Sequence, residues 1–276
     1  AAFGTDNSVL IDAGDDALGL QIFNIDTKCV ETWNGVEWIK SCICPPSVTD
    51  AQGITYSVGY FGLEGCWMTQ NLRTTDFTYT PDGTPIALSE NTGESDTDPY
   101  YSYPTEGNVT PTTAKFDAHP EYGLLYNWVA ASGRTGVSTN EAKTEHTTYQ
   151  GICPKGWHLP SDYEWIQLTN ELKNNNTNSK YGTGTNAYCN MKSTTAVAGT
   201  DISDPNGCSN TRDNNGFDAL FVGVVNINAN KYGLHTHFWS SSSYNENDAL
   251  ARAVETGTGS SYESKVGLRS VRCKKD

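Results

Sequence analysis

Short alternating runs separated by long polar stretches organise this chain, and a helical period emerges in two places. Residues 18–24 (LGLQIFN) alternate loosely, as a strand does. Residues 28–42 (KCVETWNGVEWIKSC) read as a β-hairpin about Asn34-Gly35, the pair that a two-residue type I′ turn favours because both positions need positive φ. That turn sets Trp33 opposite Val36, Glu31 opposite Trp38 and Cys29 opposite Lys40. Cys29 and Cys42 then lie diagonally on one face, where a bulge lets them pair. An isolated hairpin is marginal in water, so this unit needs a further surface to pack on.

Strands resume over residues 49–86, with Gly-containing turns between Tyr- and Val-rich runs in the manner of a meander. Residues 87–120 are polar and read as one long surface loop. In residues 122–131 (YGLLYNWVAA) Leu125, Trp128 and Val129 share one helical face, which predicts a first helix. A second is better marked: Ser161 is the N-cap, Glu164 completes a capping box, and Trp165, Ile166, Leu168 and Leu172 supply the apolar stripe. Residues 173–215 are polar and Asn-rich. From Gly216 four runs read as strands: ALFVGVV, HTHFWSSSS, ALARAVE and LRSVRC. The pattern predicts an α+β chain without internal repeats, divided into a strand-and-hairpin unit at 1–45 and a main domain at 46–276.

Composition narrows the class. Only 36% of the 276 residues are hydrophobic, so the core is modest and the 15 Tyr and seven Trp supply much of it. The net charge of −14 disfavours nucleic acid and anionic membrane surfaces, and Lys274-Lys275 is the one basic pair of note. No apolar run is long enough to span a bilayer. The start, Ala1-Ala2-Phe3-Gly4, lacks a basic and hydrophobic leader and reads as a mature or trimmed end. Eight cysteines without zinc-type spacing, in an acidic Gly/Asn/Thr-rich chain, imply disulfides and an extracellular or bacterial cell-surface location.

The stretches YGLLYNWVAA (122–131), GICPKGWHLPSDYEWIQL (151–168), NGFDAL (215–220), HFWSSSS (237–243) and GLRSVRC (267–273) follow TDAQGITYSVGYFGLEGCWMTQNLRTT in order. Together, over roughly residues 49–276, they resemble the Fibrobacter succinogenes major paralogous domain. That family is similar to the formylglycine-generating, sulfatase-modifying subtype of the C-type lectin fold. The resemblance implies two short helices, a small twisted antiparallel sheet that brings the domain's ends together, and long loops that carry binding. Three further cysteine pairs are expected. Cys153 with Cys273 ties the strand leading into the second helix to the closing strand, Cys189 with Cys208 closes a polar loop, and Cys44 with Cys66 anchors the hairpin unit.

The fold comparison invites an oxidase reading, but the last third holds only Cys208 and Cys273, and Cys273 suits a structural disulfide better than a reactive thiolate. No GxSxG or HExxH motif is present, and no spacing selects a triad. His235 and His237 lie on one face of a strand and can begin a zinc site with His158 as third ligand, although core roles suit these residues better. Asp201, Asp204, Asn206, Asp213, Asn215 and Asp218 offer the clustered oxygens that calcium takes, although the tripeptides of sugar-binding C-type lectins are missing. Trp67, Trp128, Trp157, Trp165 and Trp239 are expected in the core. The loop aromatics Tyr100, Tyr101, Tyr103, Tyr181 and Tyr188 are the expected ligand contacts. The expectation is a secreted adhesin or binding module for a glycan or protein at the cell surface. A structural subunit assembling through residues 1–24 is the alternative, and an enzyme ranks last.

Overall fold

Asn34-Gly35 does turn the chain, but inside a four-residue loop. The computed structural model describes residues 18–24, 29–42, 44–77, 86–90, 95–104, 117–144, 148–174, 187–193, 195, 197, 216–225, 232–255 and 258–276. These fall into two compact units, Ala1–Cys44 and Pro45–Asp276. In the first, β1 (Gln21–Asn24), β2 (Cys29–Trp33) and β3 (Trp38–Cys42) form an antiparallel sheet in that order. Trp33 pairs with Trp38, Glu31 with Lys40 and Cys29 with Cys42, so the predicted register is displaced by two residues. The cause is local. Asn34 Oδ1 accepts from the backbone N–H groups of Val36 and Glu37, both at 2.8 Å, and only Gly35 needs positive φ, at 94°. An even displacement keeps every side chain on its face, and Cys29 stands directly opposite Cys42 without a bulge.

The second unit opens with the meander β4 (Ser47–Thr49), β5 (Thr55–Tyr60) and β6 (Cys66–Met68). Asp50 makes its first turn, accepting from Gln52 N and Ile54 N at 2.9 Å and from the Tyr56 hydroxyl at 2.7 Å. The ladder of β7 (Asp76–Phe77) and β8 (Ile86–Ala87) follows. The run 87–120, expected to be loop throughout, contributes β9 (Ser89–Glu90) and β10 (Tyr100–Ser102) to a three-stranded sheet completed by β11 (Leu125–Tyr126). These strands are too short for alternation to reveal them.

The helix predicted over 122–131 is divided. Residues Pro120–Tyr122 form a 3-10 turn, Leu125 and Tyr126 belong to β11, and the helix proper is α1 (Trp128–Ser132). Asn127 causes the break. Its Oδ1 accepts from Ala130 N and from Tyr100 N, both at 3.1 Å, while its Nδ2 donates to Ser95 O and Asp98 O. One side chain thus caps α1 and seats the 95–102 segment on it.

After β12 (Trp157–His158) comes α2 (Asp162–Asn174), with the capping box formed: Ser161 N donates to Glu164 Oε2 at 2.9 Å, and Glu164 N donates to Ser161 Oγ at 3.2 Å. A short α3 (Ala187–Met191), not expected, is fastened by Asn190 Nδ2 donating to Leu172 O at 2.7 Å. Strands β13 (Thr236–Ser243), β14 (Asp248–Val254) and β15 (Thr258–Ser264) form an antiparallel sheet. The polar β15 carries no apolar alternation and was not anticipated. Residues 219–225 and 267–273 make isolated bridges instead of the expected strands, among them Val225↔Leu268, Tyr126↔Arg269 and Phe238↔Ser270. Finally β16 (Lys274–Lys275) inserts between β12 and β6, so one sheet reads β12-β16-β6-β5-β4 and joins both ends of the unit. The architecture is mixed α+β and mostly β.

Trp165 centres the core, its ring 4.8 Å from Trp67 and stacked 5.5 Å from Phe238. Trp67, Trp128, Trp157, Trp165 and Trp239 are all buried, and the indole N–H groups of Trp67, Trp128, Trp165 and Trp239 each find a carbonyl. Ser240–Ser243 are buried too, because small hydroxyls let the start of α2 approach: Ser242 Oγ accepts from Asp162 N at 3.0 Å and Ser240 Oγ donates to Leu250 O at 2.8 Å. Arg272 is fully buried between the Phe217 and Phe238 rings, donating to Asn71 Oδ1 and to the carbonyls of Phe217 and Asp218.

Candidate functional site

Where α2 begins, it leaves a cleft against β16 and the short 3-10 turn Gly62–Glu64. The cleft holds about 300 Å³, and Glu64, Tyr163, Glu164, Gln167, Thr148 and Lys274 are among its lining. Tyr163 and Gln167 face it together because residues four apart share a helix face. Lys274 Nζ, at 3.2 Å from Glu64 Oε2 and 3.1 Å from Glu164 Oε1, joins the two carboxylates. Behind them His158 sits buried, Nε2 at 2.9 Å from Glu164 Oε1 and Nδ1 at 2.6 Å from Asp276 Oδ1.

The two carboxylates are driven apart electrostatically. Burial pushes the Glu64 carboxyl above its usual value despite Lys274. Burial also works against ionised Glu164, but the hydrogen bond and charge of His158, with Lys274 and the Ser161 N–H, hold it down to about 2. His158 is raised: burial opposes its charge, and Glu164 and Asp276 together overcome that. The result is a wall of tied charges, hydroxyl and amide groups, suited to a hydrogen-bonding ligand.

The structure redistributes the expected site residues. Tyr100 is a core residue, 1% exposed, with its hydroxyl donating to Val266 O at 2.5 Å, because β10 pairs with β11 and turns it inward. Tyr103 is buried at 9% exposure, with its ring edge-on to half-buried Tyr101 at 6.0 Å. Tyr181 and the side chain of Tyr188 lie outside the described residues, as do Asp201, Asp204, Asn206, Asp213 and Asn215. Asp218 is half-buried with φ 54°, and its carbonyl serves Arg272. Among the described ones, Tyr100, Tyr101, Tyr103 and Asp218, none lines the cleft. The Tyr163 and Gln167 pair was legible as the polar side of the predicted helix; Glu64 and Lys274 carried no such signal.

Cys153 and Cys273 form a disulfide with a Cα–Cα distance of 5.8 Å, and Cys29, Cys44, Cys66 and Cys189 are also disulfide-bonded. Among the described residues no cysteine is free, and no helix is long and apolar enough to cross a membrane. His158 does not join His235 and His237; its two nitrogens are engaged at the cleft. Instead Glu255 completes a cluster with them.

These features stand in a domain of a defined class. The model of the Fibrobacter succinogenes major domain matches residues 64–275, and the chain belongs to that family. No curated protein and no solved structure matches it.

Proposed function

We propose that this is a secreted binding module or adhesin of the cell surface, with a C-type-lectin-like domain that takes a hydroxyl-rich glycan, and that it is not an enzyme. The observation that carries this reading is the cleft at the start of α2. It has the volume of a small-ligand site and a wall of hydroxyl, amide and paired charges, the groups that hydrogen-bond a sugar. Its carboxylates are tied to Lys274 and His158, which suits recognition better than proton transfer. Cys273 is committed to Cys153, which argues against a thiol oxidase. The disulfides fit an extracellular setting. The test is a glycan array probed with the full chain: binding to one glycan class is expected, weakened about tenfold or more by Tyr163→Ala or Gln167→Ala. An array without signal, or binding unchanged in both variants, would overturn the reading.

A second reading, a structural subunit of a surface fibre or complex, is favoured by the Ala1–Cys44 unit. Phe23 is 54% exposed and Ile39 42%, and Phe23 pairs with half-buried Val30 on one face of the three-stranded sheet. A partner or second copy would cover such a face. Concentration-dependent assembly that disappears when residues 1–24 are deleted would favour this reading.

A further inference from the structure

A strand presents every second side chain to one face, so His235 and His237 project together at the start of β13, with ring centres 4.7 Å apart. In the β13–β14 register Thr236 pairs with Val254, and one step further brings His235 opposite Glu255. We propose that His235, His237 and Glu255 bind a divalent transition-metal ion of the zinc class, with Glu263 on β15 orienting His237. This rests on a different part of the molecule from the cleft and does not depend on its ligand.

One ligand atom from each of the three residues lies within 4.8 Å of the others. On a tetrahedral ion with bonds of about 2.05 Å, two ligand atoms stand about 3.3 Å apart. His235 Nδ1 and Glu255 Oε2 are already separated by 3.3 Å, and the His237 ligand atom, within 4.8 Å of the others, would have to close to that spacing by side-chain rotation. His237 supplies the observation that points to a ligand. Its side chain is 7% exposed, and both its ring nitrogens are buried without a hydrogen bond. Its Nδ1 lies 2.9 Å from Glu263 Oε1. Glu263 is itself fixed by Arg269 at 2.5 Å and by the Ser261 hydroxyl at 2.6 Å. Glu263 lies close enough to Nδ1 that a small ring rotation would place the proton there and leave the Nε2 lone pair to coordinate, the outer arrangement that metal-bound imidazoles adopt. A buried lone pair of this kind is costly until something takes it.

The donor set also selects the ion. Two imidazoles and one carboxylate suit zinc and its transition-metal neighbours, whereas calcium requires oxygens throughout. Glu255 is 44% exposed, which gives an ion a route in and leaves a fourth position for water or a donor from a bound partner.

The experiment uses untagged full chain with its disulfides intact, titrated with zinc by calorimetry and with cobalt by visible absorption. Saturable binding of about one equivalent with tetrahedral cobalt bands is expected. His237→Gln should abolish it, Glu255→Ala should weaken it about tenfold or more, and Glu263→Gln about 10- to 100-fold. Glu255 is partly exposed, so its variant decides the matter even if a His237 variant does not fold. No saturable zinc binding, or binding unchanged in Glu255→Ala, would overturn the proposal.

Discussion

In the Pro45–Asp276 unit Trp165 is wholly buried, with Trp67, Phe217 and Phe238 within 6.0 Å. In the Ala1–Cys44 unit Trp33 and Trp38 meet at 5.5 Å yet both remain half-buried, and Phe23 and Val36 stay exposed. Both regions are rich in aromatics and short strands. They differ in what lies over the sheet. The larger unit has α1 and α2 to cover the apolar side of β13 and β14, whereas the described residues of the smaller form three strands and no second layer. A sheet needs such a layer to bury a face, so the same residue types make a core in one place and a surface in the other. Backbone pairing joins the described strands of the small unit, and Cys29 on β2 is disulfide-bonded.

The contrast can be broken most severely at the Cys153–Cys273 bond, which closes 120 residues of the larger unit. Replacing both cysteines with serine should destabilise it by about 4–5 kcal/mol, from the entropy the unfolded chain recovers. Urea unfolding would read this as a fall in midpoint, and an unchanged midpoint would mean that the aromatic core alone holds the fold.

A smaller effect is expected at Glu164. Its carboxyl is held at about 2 against an ordinary 4.5, so its contribution is complete above about pH 4.5 and is lost as pH falls toward 2. The contribution is on the order of 3 kcal/mol. His158 has the opposite sign: its raised value makes its contribution complete below about pH 6.5 and lost as pH rises through the folded value. Thermal melts of Glu164→Gln should therefore show a flattened acid limb between about pH 4.5 and 2. An acid limb identical to the parent's would refute the pairing.

The smallest change is expected at Phe23. Replacing this exposed side chain with serine should alter stability by less than about 0.5 kcal/mol, since little area is lost from a core. Self-association measured by sedimentation should nevertheless fall if the face is an assembly surface. A large loss of stability with no change in association would reverse both halves of the comparison.

Elements with self-contained signals were legible in the sequence. The Ser161–Glu164 box and the Trp165, Leu168, Leu172 stripe announce α2 because capping and helical periodicity act within a few residues. The period-two spacing of His235 and His237 announces a shared strand face for the same reason. Tyr100 shows where this stops. Its run is polar and loop-like, and it is buried only because Asn127 and Leu125, more than 20 residues away, hold β10 in place. The hairpin shows a subtler limit: Asn34-Gly35 is right for a turn, yet the Asn34 side chain chose the four-residue form.

By itself, then, the sequence determined the local units, the membership of Trp67, Trp128, Trp157, Trp165 and Trp239 in a core and the family of residues 64–275. Only the tertiary structure decided which polar groups meet. Glu64, Glu164 and Lys274 come together because β16 inserts between β12 and β6, and Glu255 reaches the histidines because β14 returns beside β13. Such meetings depend on strand register and sheet order, which couple residues as far as 210 positions apart and leave no periodic trace along the chain.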